Sequence, residues 1–470
     1  MSQAELIAEV LRDHGPQSVV TDPRDIEPWL SDWRGRWHGA ASAILQPANT
    51  AEAASIVAKA AAHRVALVAQ GGNTSMVGGA TPPADGSALI LSLRRMNRID
   101  AIDPVALRCT AEAGVILESL HAAVAEHGLR FPLTLGAKGS ATIGGLVSTN
   151  AGGTQVLRFG TMRALVDGIA AVLPDGSIHD GLSKLKKDNR GPSIDQLLIG
   201  AEGTLGIITQ VRLKLVPAVA ARAVAWLGLS SPQAAIDVLR ALEAGTDRIE
   251  GFELLPRESL DAAIAQINGV RPPLATPHPW HVLVEATVDR GTDETPESLL
   301  GRLLAPMVDR GLVGDAAISA NEAQAQAFWR IRDSLSEAER KAFGAATQHD
   351  ISVPVEAMPA FLEQATRTLE QAFPGVQASG FGHLGDGNIH FHVRAGSRGG
   401  PGWLEREGEA VSRLVHDLVV EAGGSISAEH GIGQMKRGEL ARLHPGRVRT
   451  LRALKAGLDP EGIMNPGKLI

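Results

Sequence analysis

Between Leu135 and Gly153 most residues are Gly, Ala, Ser or Thr. So many small side chains let a long, flat ligand lie against the backbone. Gly139, Ser140, Thr142, Gly144, Gly145, Ser148, Asn150, Ala151 and Gly153 are the candidate contacts here. A second glycine-rich loop lies upstream. An apolar run over residues 65–69 reads as a strand and leads into Gly71-Gly72-Asn73-Thr74-Ser75, with Gly78 close behind. Backbone N–H groups of such a loop form a nest for phosphate oxygens, and the two hydroxyls add hydrogen bonds. The loop has neither the Gly-Lys-Ser/Thr of a P-loop nor the Gly-x-Gly-x-x-Gly of a Rossmann fold. A third piece places Glu202 and Gly203 in a turn and Ile208 in the β-rich run after it. Any one of these loops alone is an ordinary turn. Together they suit a dinucleotide.

A different chemistry is concentrated near the C-terminus. Gly382-His383-Leu384-Gly385-Asp386-Gly387-Asn388-Ile389-His390-Phe391-His392 puts three imidazoles around a Gly-containing turn. Residues 389–393 alternate as a strand does, so His390 and His392 share one face and Ile389 and Phe391 the other. A hairpin folds His383 back toward His390. A lone His near a strand is usually a satisfied polar residue; three within ten positions make a metal site a real candidate. Glu429, arriving from a distant segment, completes an imidazole–carboxylate set suited to a borderline divalent ion such as zinc. Three protein ligands leave one position open, as catalytic sites require. His430 follows directly. Neighbouring side chains diverge in an extended segment, so Glu429 can face a metal while His430 faces substrate. A nearby cation keeps such an imidazole neutral, as a general base must be.

With these residues in view the chain resembles the vanillyl-alcohol oxidase superfamily. The Gly71–Ser75 loop, the 139–153 segment and Glu202-Gly203-Thr204-Leu205-Gly206 are similar to its FAD-binding domain. The histidine motif, Glu429-His430-Gly431 and Asn465-Pro466-Gly467-Lys468 resemble its FAD-linked D-2-hydroxyacid dehydrogenase branch. The resemblance covers about residues 38–470. It implies an α+β fold: a two-subdomain FAD-binding domain plus a cap domain with an antiparallel sheet covered by helices. It implies that His383, His390 and Glu429 hold a zinc-like metal, that His430 removes the substrate hydroxyl proton, and that Asn465 helps hold the flavin. Asn73 stands where some members carry a flavin-linking His, so the FAD is expected to be non-covalent. Arg332 and Ser336, four apart in a segment that reads as helical, match positions that bind a substrate carboxylate in hydroxyglutarate dehydrogenases. Gln348 stands where that subgroup has Lys, which weakens the case for a dicarboxylate. His392 stands where the family has Asn, as a polar substrate contact or an extra ligand.

These features lead to oxidation of D-2-hydroxyglutarate to 2-oxoglutarate. The alternatives are D-lactate or another D-2-hydroxyacid, or a flavin subunit of a glycolate oxidase-type complex. No nicotinamide motif is seen, so electrons are expected to pass to an electron-transfer flavoprotein or a quinone. A net charge of −7 argues against nucleic acid. The single cysteine, Cys109, excludes an internal disulfide and suits a reducing compartment. No basic leader and no long apolar run is seen, so a cytoplasmic protein is expected, with peripheral membrane contact still open. A homodimer is among the assemblies allowed. The expected organisation is a helical segment over 1–37, the FAD-binding domain over 38–217, a substrate or cap domain over 218–422 and a returning segment over 423–470. Thr50 is expected to cap the helix Thr50–His63, and residues 223–229 and 281–287 to be cap-domain strands. Trp29, Trp33 and Trp37, four apart, are expected to pack rather than bind cofactor. Helices are expected on one side of the cap sheet, and a loop over 395–402.

Overall fold

The apolar run before the first glycine-rich loop forms the strand Ala66–Gln70. It lies at the edge of a four-stranded sheet, ordered Val19–Val20, Ile44–Leu45, Ala88–Ser92, Ala66–Gln70. The last three strands are mutually parallel. The helix Thr50–His63 supplies the crossover that parallel strands need. Its cap is Asn49, not Thr50: the Asn49 side chain accepts the Glu52 N–H. The Glu52 carboxylate in turn accepts the Ala48 N–H at 2.8 Å. Asn in an extended conformation one residue earlier leaves Thr50 no orphan donor to satisfy.

This computed structural model describes all residues except 1, 184, 186, 290, 292, 397–399 and 401. The loop expected at 395–402 therefore lies partly outside the described residues. The chain divides into two units. Unit 1 comprises Met1–Gly153, Phe159–Ala218 and Glu429–Ile470; unit 2 comprises Thr154–Arg158 and Val219–Ala428. Among the described residues no helix is long and apolar enough to cross a membrane.

Unit 1 has two large cores and a small one around Ile26, Leu30, Ile44 and Ile90 among the described residues. One large core fills the four-stranded sheet and its helices, around Leu6, Ile56, Leu67 and Leu89. The other lies under a five-stranded antiparallel sheet ordered Ile99–Asp103, Arg108–Glu112, Ile207–Lys214, Val166–Val172, Ile178–Asp180. Residues 463–465 run beside Ala66–Gln70: Leu67 N–H donates to Ile463 O (2.7 Å), and Asn465 N–H to Leu67 O (2.8 Å).

Unit 2 is built on a seven-stranded antiparallel sheet. Its order is Asp315–Ile318, Ala221–Leu229, Trp280–Val288, Ile249–Pro256, Gln377–His383, Asn388–Arg394, Ala346–Ser352. Ala223, Ala225 and Leu227 join a core shared with the helices Pro232–Gly245, Pro296–Asp309, Met358–Ala372 and Trp403–Glu421. Val224 and Trp226 point the other way, into a smaller core with Arg257–Gln266, Glu322–Asp333 and Leu335–Phe343. Helices thus cover both faces of this sheet, not one. Strands buried on both faces read as continuous apolar runs, and Ala221–Leu229 is one.

Candidate functional site

The hairpin around the Gly-Asp-Gly turn is present. Gln377–His383 and Asn388–Arg394 pair antiparallel, with Phe381 opposite His390 and Ser379 opposite His392. On the other side Asp350 lies opposite His390 and Gln348 opposite His392. Period two then sorts the faces. Ile389, Phe391 and Val393 go into the core. His383, His390, His392, Asp350, Gln348 and Ser379 share the opposite face.

Buried carboxylates fix this polar face, and sequence reasoning missed them. Glu253, on the neighbouring strand and 1% exposed, accepts from His383 Nδ1 (2.6 Å) and from Arg332 Nε (2.8 Å). Burial works against its charge, but Arg332 and then His383 outweigh it and hold the carboxyl below its usual range. The other ring nitrogen of His383, Nε2, lies 3.1 Å from Arg332 Nη2. The His383 and His390 ring centroids are 5.6 Å apart. Asp386, in the turn, is pushed up to about 6 by burial.

A second buried carboxylate, Glu339, accepts from His392 Nδ1 (2.6 Å) and pairs with Arg394 (3.0 Å). Burial opposes its charge, yet the His392 hydrogen bond holds its carboxyl low. No sequence signal marks Glu253 or Glu339, because their partners lie far off in the chain.

Two expectations about the carboxylate-binding pair change. The helix carrying Arg332 ends at Asp333, and a new one begins at Leu335. Arg332 and Ser336 therefore do not share a helical face, and Ser336 is exposed. Arg332 has an internal carboxylate partner in Glu253.

Unit 1 contains a cavity of about 790 Å³ lined by both glycine-rich loops. Its wall includes Gly71, Gly72, Asn73, Thr74, Ser75, Ser140, Thr142, Gly144, Gly145, Ser148, Ala151, Glu202, Gly203 and Ile208. Gly78, Gly139, Asn150, Gly153 and Asn465 are not among its lining residues. A Cβ on Gly153 would run into the Thr134 carbonyl oxygen. Asn150 Oδ1 accepts from Thr161 and from the Arg163 N–H. Asn465 Nδ2 donates to Gly79 O (3.0 Å) and Glu202 O (2.7 Å). Gly139 is exposed. Gly72 owes its identity to the other loop: a Cβ there would collide with the Ser140 carbonyl. The glycines let two loops close on each other as well as admit a ligand.

Glu429 and His430 also line this cavity. Glu429 opens the last segment of unit 1, directly after Ala428, the final residue of unit 2. Glu202 accepts the N–H groups of Ile432 and Gly433, both at 2.7 Å. Burial raises its carboxyl, and the two N–H groups pull the other way.

Trp33 and Gln70 are among the wall residues that were not anticipated. Trp33 is 64% exposed, in a turn rather than a helix, so the packing expected of it fails. Gln70 ends its strand inside the wall. Its Nε2 donates to Trp29 O and Ala80 O, leaving Oε1 buried without a partner. The wall combines glycines with the hydroxyls of Thr74, Ser75 and Ser140, a lining suited to phosphates and a flat ring. The residues present fit FAD.

Comparison with known proteins agrees. Residues 219–469 match the family described as "FAD linked oxidases, C-terminal domain", and residues 41–181 that described as "FAD binding domain". An Arabidopsis thaliana protein named "D-2-hydroxyglutarate dehydrogenase, mitochondrial" is 36% identical over 97% of this chain and 80% of its own. A Xanthomonas citri protein named "D-2-hydroxyglutarate dehydrogenase" is 35% identical over 96% of this chain and 94% of its own. A Schizosaccharomyces pombe protein, 32% identical over 96% of this chain and 86% of its own, bears the name of a putative mitochondrial D-lactate dehydrogenase. Among solved structures, p-cresol methylhydroxylase superposes with a TM-score of 0.76 at 15% identity, over 100% of this chain and 97% of its own. At that identity it speaks for the fold alone, which is of the vanillyl-alcohol oxidase type. With a family match over more than half its length, the chain belongs to the FAD linked oxidases.

Proposed function

We propose that this flavoprotein oxidises a D-2-hydroxyacid to the 2-oxoacid, with D-2-hydroxyglutarate as the leading substrate. The observation that carries this reading is the polar face of unit 2, where an imidazole hairpin and a guanidinium are fixed by one buried carboxylate. Relatives matched over nearly the whole chain and named for D-2-hydroxyglutarate support it. So does His430, which lines the cavity that suits FAD.

Bound FAD supplies the two-electron acceptor. His430 takes the hydroxyl proton as the substrate carbon gives up hydride, so an alcohol becomes a ketone and charge balances. His383, His390 and Glu429 would hold a divalent metal, zinc by the softness of the donor set, which acidifies the hydroxyl. Glu253 supports this role by engaging His383 Nδ1, which leaves Nε2 as the ligand atom once Arg332 yields it. Arg332 anchors the substrate carboxylate, with Gln348 and His392 further along the same face. Ser336, being exposed, is the weakest member of the set. The expected onward acceptor of the electrons would be an electron-transfer flavoprotein or a quinone. The Arabidopsis relative is named mitochondrial and the Xanthomonas relative's name gives no compartment, so fractionation is the test of a cytoplasmic setting.

A second reading, D-lactate, is favoured by Gln348, a neutral residue on the face where a distal carboxylate would need a cation. Anaerobic bleaching of the flavin by a panel of D- and L-2-hydroxyacids decides between them. D-2-hydroxyglutarate should bleach fastest, and a chelator should slow it. Faster bleaching by D-lactate transfers the assignment to the second reading. No bleaching by any member of the panel defeats both and leaves a flavin subunit of a larger complex.

A further inference from the structure

We propose that Glu202 is the positioning residue for His430, setting where the base stands in the cavity; this rests on the reading of His430 as base. The N–H groups of Ile432 and Gly433 are consecutive and point the same way, onto Glu202 Oε1 and Oε2. Successive N–H groups of this kind make a nest that takes an anion, and here the chain supplies its own. Gly431, at φ +80, turns the backbone between His430 and the nest. A Cβ on it would sit 2.9 Å from Glu202 Oε1. The carboxylate therefore lies against the peptide immediately after the base.

Glu202 is itself held from its other end. Its φ is +52, a left-handed value unusual for a residue with a side chain. Its N–H donates to Ser148 O (2.8 Å), and its carbonyl accepts from Asn465 Nδ2. The turn is clasped from the opposite side too. Gln434 N–H donates to Val77 O (3.1 Å) and Gln434 Nε2 to Gly78 O (3.1 Å). The carboxylate thus ties the turn after His430 to a residue that is itself anchored through its own backbone, and His430 is two residues from its grip. Proton transfer demands heavy-atom placement within hydrogen-bond reach, so a small slip of the turn shows in the chemical step before it shows in binding.

The test is a double-mutant cycle on the holoenzyme, read as the rate of flavin bleaching by D-2-hydroxyglutarate or D-lactate, whichever reduces the wild type. Glu202→Gln keeps the shape and loses the charge. It should retain its flavin and its substrate Kd while bleaching about 10²-fold more slowly, the cost of a misplacement near 1 Å. Glu202→Asp, which keeps the charge, should recover part of that loss. In the His430→Ala background Glu202→Gln should slow bleaching no further, because it acts through the residue already removed. Equal slowing in both backgrounds overturns the proposal. Loss of flavin from both Glu202 variants also overturns it, and makes Glu202 a cofactor-binding residue. Wild-type bleaching by His430→Ala alone removes the base itself, a separate failure of the underlying reading.

Discussion

The flavin cavity of unit 1 and the polar face of unit 2 are built by opposite means. The cavity is mostly backbone and small side chains, shaped by which loops can approach. The polar face is long side chains, of which His383, Arg332 and His392 are pinned by buried carboxylates. The first kind of site fails when atoms are added, the second when they are removed. This contrast orders the expected effects.

The largest lies where the cavity carries chemistry rather than shape. His430→Ala should bind flavin normally yet lose about 10²–10⁴-fold in the rate of flavin reduction. Near-normal reduction would mean that the cavity only holds cofactor. In unit 2, Glu253→Ala leaves Arg332 and His383 in a buried site without their counter-charge. Breaking such a pair costs about 3–5 kcal/mol, readable in thermal unfolding. A variant as stable as the wild type would show that the polar face is not held from beneath. Additions to unit 1 should cost less and sort by position. Gly72→Ala drives a methyl into the Ser140 carbonyl and should destabilise by about 1–3 kcal/mol. Gly136→Ala places its methyl in open space on the cavity wall and should leave stability unchanged while weakening flavin binding. If the two behave alike, the glycines are not there for loop closure.

The last effect, absent at neutral pH and seen only in acid, is a pH response in unit 2. His281 is buried and accepts from Trp226 Nε1 (3.1 Å); burial, then His278, lowers its pKa to about 4 from an ordinary 6.5. The unfolded chain therefore binds the extra proton between these values. Stability from this group is complete above about 6.5 and drains away as pH falls toward 4, by about 2–3 kcal/mol in all. His281→Gln should flatten that acid limb in a pH series of unfolding midpoints; an unchanged slope would assign the limb to other groups.

What the sequence made legible follows the same divide. Period two in residues 389–393 placed His390 and His392 on one face because strand geometry is local. The glycine-rich loops announced the cavity by composition. Glu253, Glu339 and Gln70 stayed hidden, since each acquires its role from a partner far along the chain. The helical face shared by Arg332 and Ser336 failed for a local reason: the chain breaks at Ser334, with no proline or glycine to mark it. Asn49 displaced Thr50 as cap because two adjacent residues could each have served, and backbone angles chose.

The strand-like run at 463–465 beside Leu67, together with Glu429 and His430 in the cavity wall, bears on how the protein is made. During synthesis the first wall segments emerge early, and all of residues 219–428 intervene before the last. A nascent chain can complete the seven-stranded sheet while its cofactor chamber still lacks a side, so flavin capture waits for the final stretch to be translated. Until then the apolar edge at Ala66–Gln70 is open to solvent and to chaperones.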